Sequence, residues 1–522
     1  MSSIPKINPT TTKAWRALQV HFEETKNLHI KDVFAEDPNR AKDFSISWKD
    51  FFVDISKNRV TPKTRELLLQ LAEEVQLEKA IKAQFSGEKI NETEDRAVLH
   101  TALRDFSTMK PEVAACLQQM KAFSEKINNG NYKGATGKPI DTIVNIGIGG
   151  SHLGPEMVYE ALAHYRQGIR LHFVSNIDGD AVQATLDVIS PETTLFIVVS
   201  KSFTTKETLA NAHFVKEWFV SNFSAEAVET HFIAVSANAE EVATFGISKE
   251  KTFPMWDWVG GRFSLWSAVG LSVCCAIGYK NFEKLLQGAH QMDQHFVSTP
   301  LSKNIPVMLG LISVWYTNFY KCETEAVIPY YETLHKLVPY LQQSVMESNG
   351  KSIDRNGDAI TYQTGGVVWG ATGTNAQHAF FQLLHQGTKI IPTDFICFTN
   401  SLLGNETLDT MLLANCLAQT EALATGKPYD ATQPYSTFVG NKPSTTIFMN
   451  SLSPKNLGSL IALYEHKIYV QGIVWNIFSF DQWGVQLGKE VATAILQNAK
   501  LLNGKQAEEY VVSLKNSSHN LN

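Results

Sequence analysis

The feature that most constrains this chain is an alternation that begins near residue 141. Short runs rich in valine, isoleucine and phenylalanine (141–148, 171–177, 194–200, 231–236 and 253–256) alternate with periodic segments such as 180–189 and 205–223. Strands separated by helices of this length must pair in parallel, and the crossover helices then cover both faces of the sheet. Helical segments at 280–300 and 302–321 lead into a second series. Its strands are expected near 325–331, 366–370 and 390–398, with helices near 333–347, 375–386, 406–425, 455–478 and 484–502. Residues 1–130 instead read as almost wholly helical. The segment 61–86, for example, carries Pro62 in its first turn and apolar residues three and four apart.

A chain of 522 residues exceeds what one core can hold, so more than one folding unit is expected. Its net charge of -6 argues against a nucleic-acid or membrane-surface binder, either of which needs a basic face. An anionic small substrate would therefore need a local cradle. The N-terminus lacks a basic-then-apolar export pattern, and the uncharged apolar run 264–279 falls short of the ~20 residues that span a membrane. The six cysteines form no CxxC pair and read as reduced core residues of a cytoplasmic protein.

Ligands of parallel sheets sit beyond the carboxyl ends of the strands. The first such loop, NIGIGGSHLG at 145–154, has the glycines of a phosphate loop, with close backbone approach at Gly149-Gly150 and the Ser151 hydroxyl. It fails the dinucleotide template at His152 and the Walker template at Pro155-Glu156, although Asp178 keeps a dehydrogenase as a rival. The second, SKSFTT at 200–205, sets the hydroxyls of Ser200, Ser202, Thr204 and Thr205 and the cation of Lys201 before a helix. Hydroxyls there can cap the helix, or with its amides hold a phosphate dianion. The third, WDWVGGRFS at 256–264, places Arg262 after a glycine pair as a fixed cation for a developing oxyanion.

The fourth, TGTNAQHAFFQLLHQ at 372–386, is expected to start a helix with His378 in its first turns, where the dipole disfavours imidazolium and leaves a neutral proton shuttle. His378 and His385 are seven apart, about 10 Å along a helix axis, too far to share one metal. The fifth, FDQWGVQLGK at 480–489, puts Gln482 and Lys489 on one side if it is a single helix. Last comes LQQSVMESNGK at 341–351, where an apolar helix-spaced run opens into a Ser-Asn-Gly turn. Glu347 stands at that opening, and partial desolvation there suits a carboxylate to general-base work. There is no HExxH, no paired-cysteine ligand set and no acidic run suited to a divalent metal.

NIGIGGSHLGP, SKSFTTKET, GGRFSLWSAVG, MESNGK, GTNAQHAFFQLLHQGT and FDQWGVQLGKE, with NETEDRAVLHTALR near residue 100, resemble the glucose-6-phosphate isomerase (phosphoglucose isomerase) family in its motif order over roughly 45–490. The resemblance implies an α/β fold with two sugar-isomerase (SIS) αβα sandwich domains, parallel-rich sheets, and helical N- and C-terminal extensions. The expected boundaries are a helical extension at 1–120, the two sandwich domains at 121–285 and 286–505, and a polar tail at 506–522.

It also implies that Ser151, Ser200, Lys201, Ser202 and Thr205 bind phosphate and that Gly150, Gly261, Gln343 and Gln482 line the pocket. Glu347 is then the base, Arg262 steadies the enediolate, and His378 and Lys489 assist ring opening with Glu207 orienting His378. A homodimer is implied, with His378 crossing the interface, as is the absence of any metal or cofactor. Ser202, Ala376 and Gln486 depart from residues common in the family (Thr, Gly and Glu), and none of the three is an expected catalytic group. The expected activity is reversible aldose–ketose isomerisation of glucose 6-phosphate to fructose 6-phosphate through a cis-enediol, in glycolysis and gluconeogenesis. The alternative is a non-catalytic sugar-phosphate sensor of the same fold, which would not need Glu347, His378 and Lys489 together.

Overall fold

The N-terminal segment departs first from expectation. Ser45–Trp48 (β1) and Phe51–Asp54 (β2) form an antiparallel hairpin whose turn carries Lys49 in the left-handed region, φ +48°. Residues 1–130 are therefore not wholly helical. Strands of four residues contain too few alternations to be told from a helix by period. The computed structural model describes residues 3–498, in a large unit ending at Phe480 and a small one beginning at Asp481.

The alternation from residue 141 produces a five-stranded, all-parallel sheet. Its strands are β3 (Thr142–Ile146), β4 (Arg170–Val174), β5 (Thr194–Val199), β6 (Phe232–Ser236) and β7 (Thr252–Pro254), in the order β4-β3-β5-β6-β7. Successive side chains point to opposite faces, and both faces are covered, so β3, β5 and β6 are buried at every position. One face, with Val144, Phe196, Val198 and Phe232, packs on Ala212, Val215 and Phe219 of helix Lys206–Asn222. The other, with Ile143, Ile197 and Ile233, joins the largest core. Continuous apolar strands are what a doubly covered parallel sheet requires.

The second sheet is mixed. β8 (Thr324–Pro329), β9 (Val367–Trp369), β10 (Thr393–Phe398) and β11 (Ser444–Met449) run parallel, and the hairpin adds antiparallel through β2, in the order β1-β2-β11-β10-β8-β9. β11 has no counterpart among the expected strands, and the N-terminal segment supplies the edge of this sheet. Helices Ile305–Asn318 and Pro454–Val474 belong to the same core as Val53, Ile396 and Ile447 of this sheet and Ile143 of the first. Cys397 and Cys416 are joined in a disulfide, so only Cys116, Cys274, Cys275 and Cys322 are the reduced, buried residues expected. Among the described residues, no helix is long and apolar enough to cross a membrane. The expected tail at 506–522 and the end of the 484–502 helix lie outside the described residues.

Candidate active site

β3 and β5 are neighbours in register, so the loops that leave their carboxyl ends emerge side by side. After β5, the 200–205 loop turns back through Phe203, an aromatic residue at φ +53° that is held by burial against Phe245, ring centroids 5.8 Å apart. A non-glycine residue held there costs about 1–3 kcal/mol and persists only where its surroundings impose it. Thr205 precedes helix Lys206–Asn222 but makes no side-chain cap; its hydroxyl accepts from Ser200 Oγ at 3.2 Å. Capping, the plain use of hydroxyls at this position, is therefore not what Thr205 does. Thr204 donates its backbone amide and hydroxyl to Ser202 Oγ, at 3.3 and 2.7 Å. Glu207 lies in the first turn of the same helix.

Lys201 reaches sideways. Its ammonium donates to the carbonyls of Asp257 and Val259 at 2.9 and 3.1 Å, tying this loop to the one that carries Arg262. Burial, with Arg96 nearby, lowers its pKa.

After β3, Gly149 adopts φ +61° and begins the short 3-10 turn Gly149–Ser151. Gly150 is obligatory for packing: a Cβ there would lie 1.9 Å from the carbonyl oxygen of Gly261 and 2.8 Å from the amide of Arg262. Two glycine loops thus touch backbone to backbone, and Arg262 follows directly. Asn145 holds the base of the first loop by donating to the Ser151 carbonyl at 3.1 Å, while its own oxygen accepts from Ser272 at 3.0 Å.

The expected helix at 333–347 proves to be three pieces: a 3-10 turn Glu332–Leu334, an α-helix Leu337–Gln342, and a π-helical segment Gln343–Glu347. A π-helical segment inserts an extra residue per turn and is found preferentially at functional sites. Here it brings Gln343 against Gly149, the amide nitrogen 3.1 Å from where a Cβ would stand. It also turns Glu347 towards Arg262, Oε1 to Nη1 3.4 Å.

The guanidinium is almost wholly enclosed, whereas the carboxylate keeps 23 % of its surface. A buried cation therefore stands beside Glu347. Arg262 also donates Nε to Ser348 Oγ at 2.7 Å and Nη2 to the Ser479 carbonyl at 2.6 Å. Lys351 caps the end of the segment, donating to the carbonyls of Glu347, Ser348 and Phe478 at 3.3, 3.0 and 2.8 Å. Ser348, Lys351 and Ser479 were missed by sequence reasoning. The first two stand inside the MESNGK motif beside Glu347, which was signal enough to examine them; Ser479 had none.

Single-chain geometry thus brings together Gly149, Gly150, Gly261, Arg262, Gln343 and Glu347, with the 200–205 loop tethered alongside. It does not bring His378. That residue is exposed and closes a four-residue 3-10 turn, Asn375–His378, rather than opening an α-helix, so the helix-dipole argument does not apply to it. The turn is anchored from below by Thr372 and Asn375, which donate to Glu332 at 2.9 and 3.0 Å. His378 and Glu207 form no hydrogen bond or ion pair with each other. Gln482 and Lys489 belong to the small unit. Gln482 precedes a 3-10 turn, Trp483–Val485, and Lys489 is exposed on helix Gln486–Asn498, so the two do not share one continuous helix. Among the described residues no group of three or more histidine, cysteine or acidic side chains is placed to hold a metal ion.

Residues 54–518 match the phosphoglucose isomerase family. The glucose-6-phosphate isomerase of Christiangramia forsetii is 55% identical over 516 residues, 94% of this chain and 95% of that protein. The crystal structure of a glucose-6-phosphate isomerase from Chlamydia trachomatis matches with a TM-score of 0.87 at 35% identity, over 98% of this chain and 100% of that one. A hypothetical protein from Thermus thermophilus shares the fold, with a TM-score of 0.68 at 23% identity over 85% and 99% of the two chains.

Proposed function

This chain belongs to the phosphoglucose isomerase family, and on that premise we propose how its pocket interconverts glucose 6-phosphate and fructose 6-phosphate. The phosphate docks against Ser151, Ser200, Lys201, Ser202 and Thr205, at the uncapped start of helix Lys206–Asn222. Lys201 contributes its charge and main chain there, since its ammonium is already held by two carbonyls. A non-reacting group thereby orients the sugar carbons over the pair beyond the two touching glycine loops. Gly150, Gly261 and Gln343 line this space.

Glu347 takes the proton from C2 and returns it to C1 through a cis-enediol. The electron pair stays within the sugar and the proton comes back, so neither a redox cofactor nor a metal is needed for balance. Arg262 stabilises the oxyanion that develops between the two carbons. Its contacts to Glu347, Ser348 and Ser479 prevent it from reorganising during the step. Ring opening uses His378 of the partner subunit, oriented by Glu207, with assistance from Lys489. Within its own chain His378 is exposed, which is why a homodimer is part of the proposal, and a cytoplasmic location goes with the glycolytic role.

The observation that carries the reading is the 3.4 Å approach of the Glu347 carboxylate to a buried guanidinium at a π-helical segment. Its test is conversion of glucose 6-phosphate with and without excess EDTA, by wild type and Glu347→Gln. EDTA-resistant turnover that falls at least about 10²-fold in the variant is expected. Near-wild-type turnover in Glu347→Gln would remove this residue as the base. A folded wild type that binds the sugar phosphate without converting it would be the sensor instead.

A further inference from the structure

One helix stands behind both members of the reacting pair. Pro454–Val474 is buried along nearly its whole length, yet it carries Glu465, His466 and Lys467 in succession and Gln471 one turn later. Each is matched. Glu465 meets Arg104 and the Trp266 indole, both at 2.8 Å, His466 meets Asp293 at 2.7 Å, and Lys467 pairs with Glu325 and with Asp394.

From the Lys467 ion pair a continuous run of buried hydrogen bonds leads back to the pocket. Ser313 donates to Glu325 at 2.9 Å and receives Gln471 Nε2 at 2.8 Å. Asn349 Nδ2 donates to Gln471 Oε1 at 3.1 Å, and Ser479 Oγ donates to Asn349 Oδ1 at 2.7 Å. The Ser479 carbonyl is the one that accepts from Arg262, and Asn349 lies two residues beyond Glu347.

We propose that Asn349, Gln471 and Ser479 are positioning residues that hold the Arg262 guanidinium and the Glu347 carboxylate in register from behind. Asn349, Gln471 and Ser479 are 0%, 3% and 4% exposed. Amides buried this deeply must have every donor and acceptor met, and an apolar pair of the same shape would fill the space at little cost to stability. What the amides add is direction, because a satisfied polar network admits one arrangement where an apolar contact admits several. The network spans both segments of the pair. Through the Ser479 carbonyl it sets the guanidinium, and through Asn349 it pins the turn that follows the π-helical segment. Gly472 confirms how tightly the parts meet, since a Cβ there would stand 1.9 Å from Ser479 Oγ and 3.4 Å from Asn349 Oδ1.

The inference rests on the assignment of Glu347 as base and Arg262 as its cation, and the experiment separates the two. Turnover of glucose 6-phosphate, thermal midpoint and KM are measured for Gln471→Met, Gly472→Ala, Arg262→Lys, the double variant Arg262→Lys/Gln471→Met, and Glu347→Gln. Gly472→Ala forces the Ser479 hydroxyl off Asn349 while replacing glycine with a better helix former. Gln471→Met and Gly472→Ala should each lower kcat about 10-fold, because small misplacements of reacting groups are costly. KM should stay within about two-fold, because the phosphate contacts are untouched. In the Arg262→Lys background, Gln471→Met should cost less than about two-fold, the non-additivity expected of groups acting through one another.

Wild-type kcat in both folded variants would overturn the proposal, as would an equal fold-loss in both backgrounds. Failure of both variants to fold would make the amides structural and overturn it too. Retained turnover in Glu347→Gln would instead strike the base assignment beneath it.

Discussion

In the 200–205 loop, the hydroxyls and the cation proposed to hold a phosphate lie within six consecutive residues, and the four hydroxyls are bonded in two pairs, Ser200 with Thr205 and Thr204 with Ser202. The Arg262–Glu347 pair next to it is assembled from afar. The bond from Arg262 to Ser348 crosses 86 positions of sequence, and that to Ser479 crosses 217. In the proposed reading, binding is therefore mostly a local property of one strand-to-helix turn, with Ser151 added from the neighbouring loop, and chemistry a property of how the large unit packs. A cradle of short-range parts yields by degrees when one hydroxyl is lost. A pair held by buried tertiary contacts fails at once when its geometry moves.

The largest effect that would sharpen this contrast is the Glu347→Gln loss of roughly 10²–10⁴-fold in kcat, with the thermal midpoint and phosphate binding retained. Gly150→Ala comes next. Its methyl would drive the Gly261 carbonyl, and Arg262 behind it, away from the first loop, so kcat/KM should fall about 10²-fold in a folded protein. Steady-state kinetics beside a thermal melt checks this, and an unchanged kcat/KM would mean that the two loops do not need to touch.

Ser200→Ala should be milder and different in kind. Losing one hydroxyl contact to a charged group raises KM about 10-fold and leaves kcat near wild type. A kcat loss at saturating substrate would break the distinction between cradle and pair.

The smallest effect is acid sensitivity, and it belongs to the buried layer rather than to the cradle. Burial holds His100 well below, and His466 below, the ordinary histidine range, and brings His295 down to about 4. These groups stay neutral in the native state while the unfolded chain takes up protons from about pH 6.5 downward. Their contribution to stability is full above that pH and is lost as pH falls through it. Asp394, which burial pushes up to about 6, works the other way between about pH 6 and 4, since the folded chain protonates it first, and Glu465, whose pKa burial also raises, acts in the same direction. Three histidines against two carboxyls predict a thermal midpoint a few degrees lower at about pH 5 than at about pH 7.5. A flat melting profile over that interval would contradict the burial argument.

Much of the fold was legible because its signals are periodic and local. β3, β5 and β6 are apolar at every position, and glycine or hydroxyl clusters follow β3 and β5, so strands and loops could be placed from composition alone. β1 and β2 were missed because four residues hold too little pattern, and β11, the partner of β2, lies roughly 400 positions away. His378 was placed on a helix start because Thr374 and Asn375 are good caps, yet Thr374 makes no cap and Asn375 bonds to Glu332 instead. Local context marked Glu347 and Arg262 one at a time and the resemblance gave them a shared reaction; no neighbouring residue predicted their 3.4 Å approach.

What the residues by themselves determined is the doubly covered parallel sheet, the hydroxyl-rich turn after β5 and the glycine turn after β3, each dictated by neighbours within a few positions. Tertiary structure alone decided the rest: that a hairpin from the N-terminus completes the second sheet, that residues 343–347 wind as a π-helical segment, and that Asn349, Gln471 and Ser479 bond to one another behind Arg262 and Glu347. The physical reason is one of range. Period and turn chemistry act between adjacent residues, whereas a buried amide finds its partner only after packing has brought distant segments together and excluded the water that would otherwise serve.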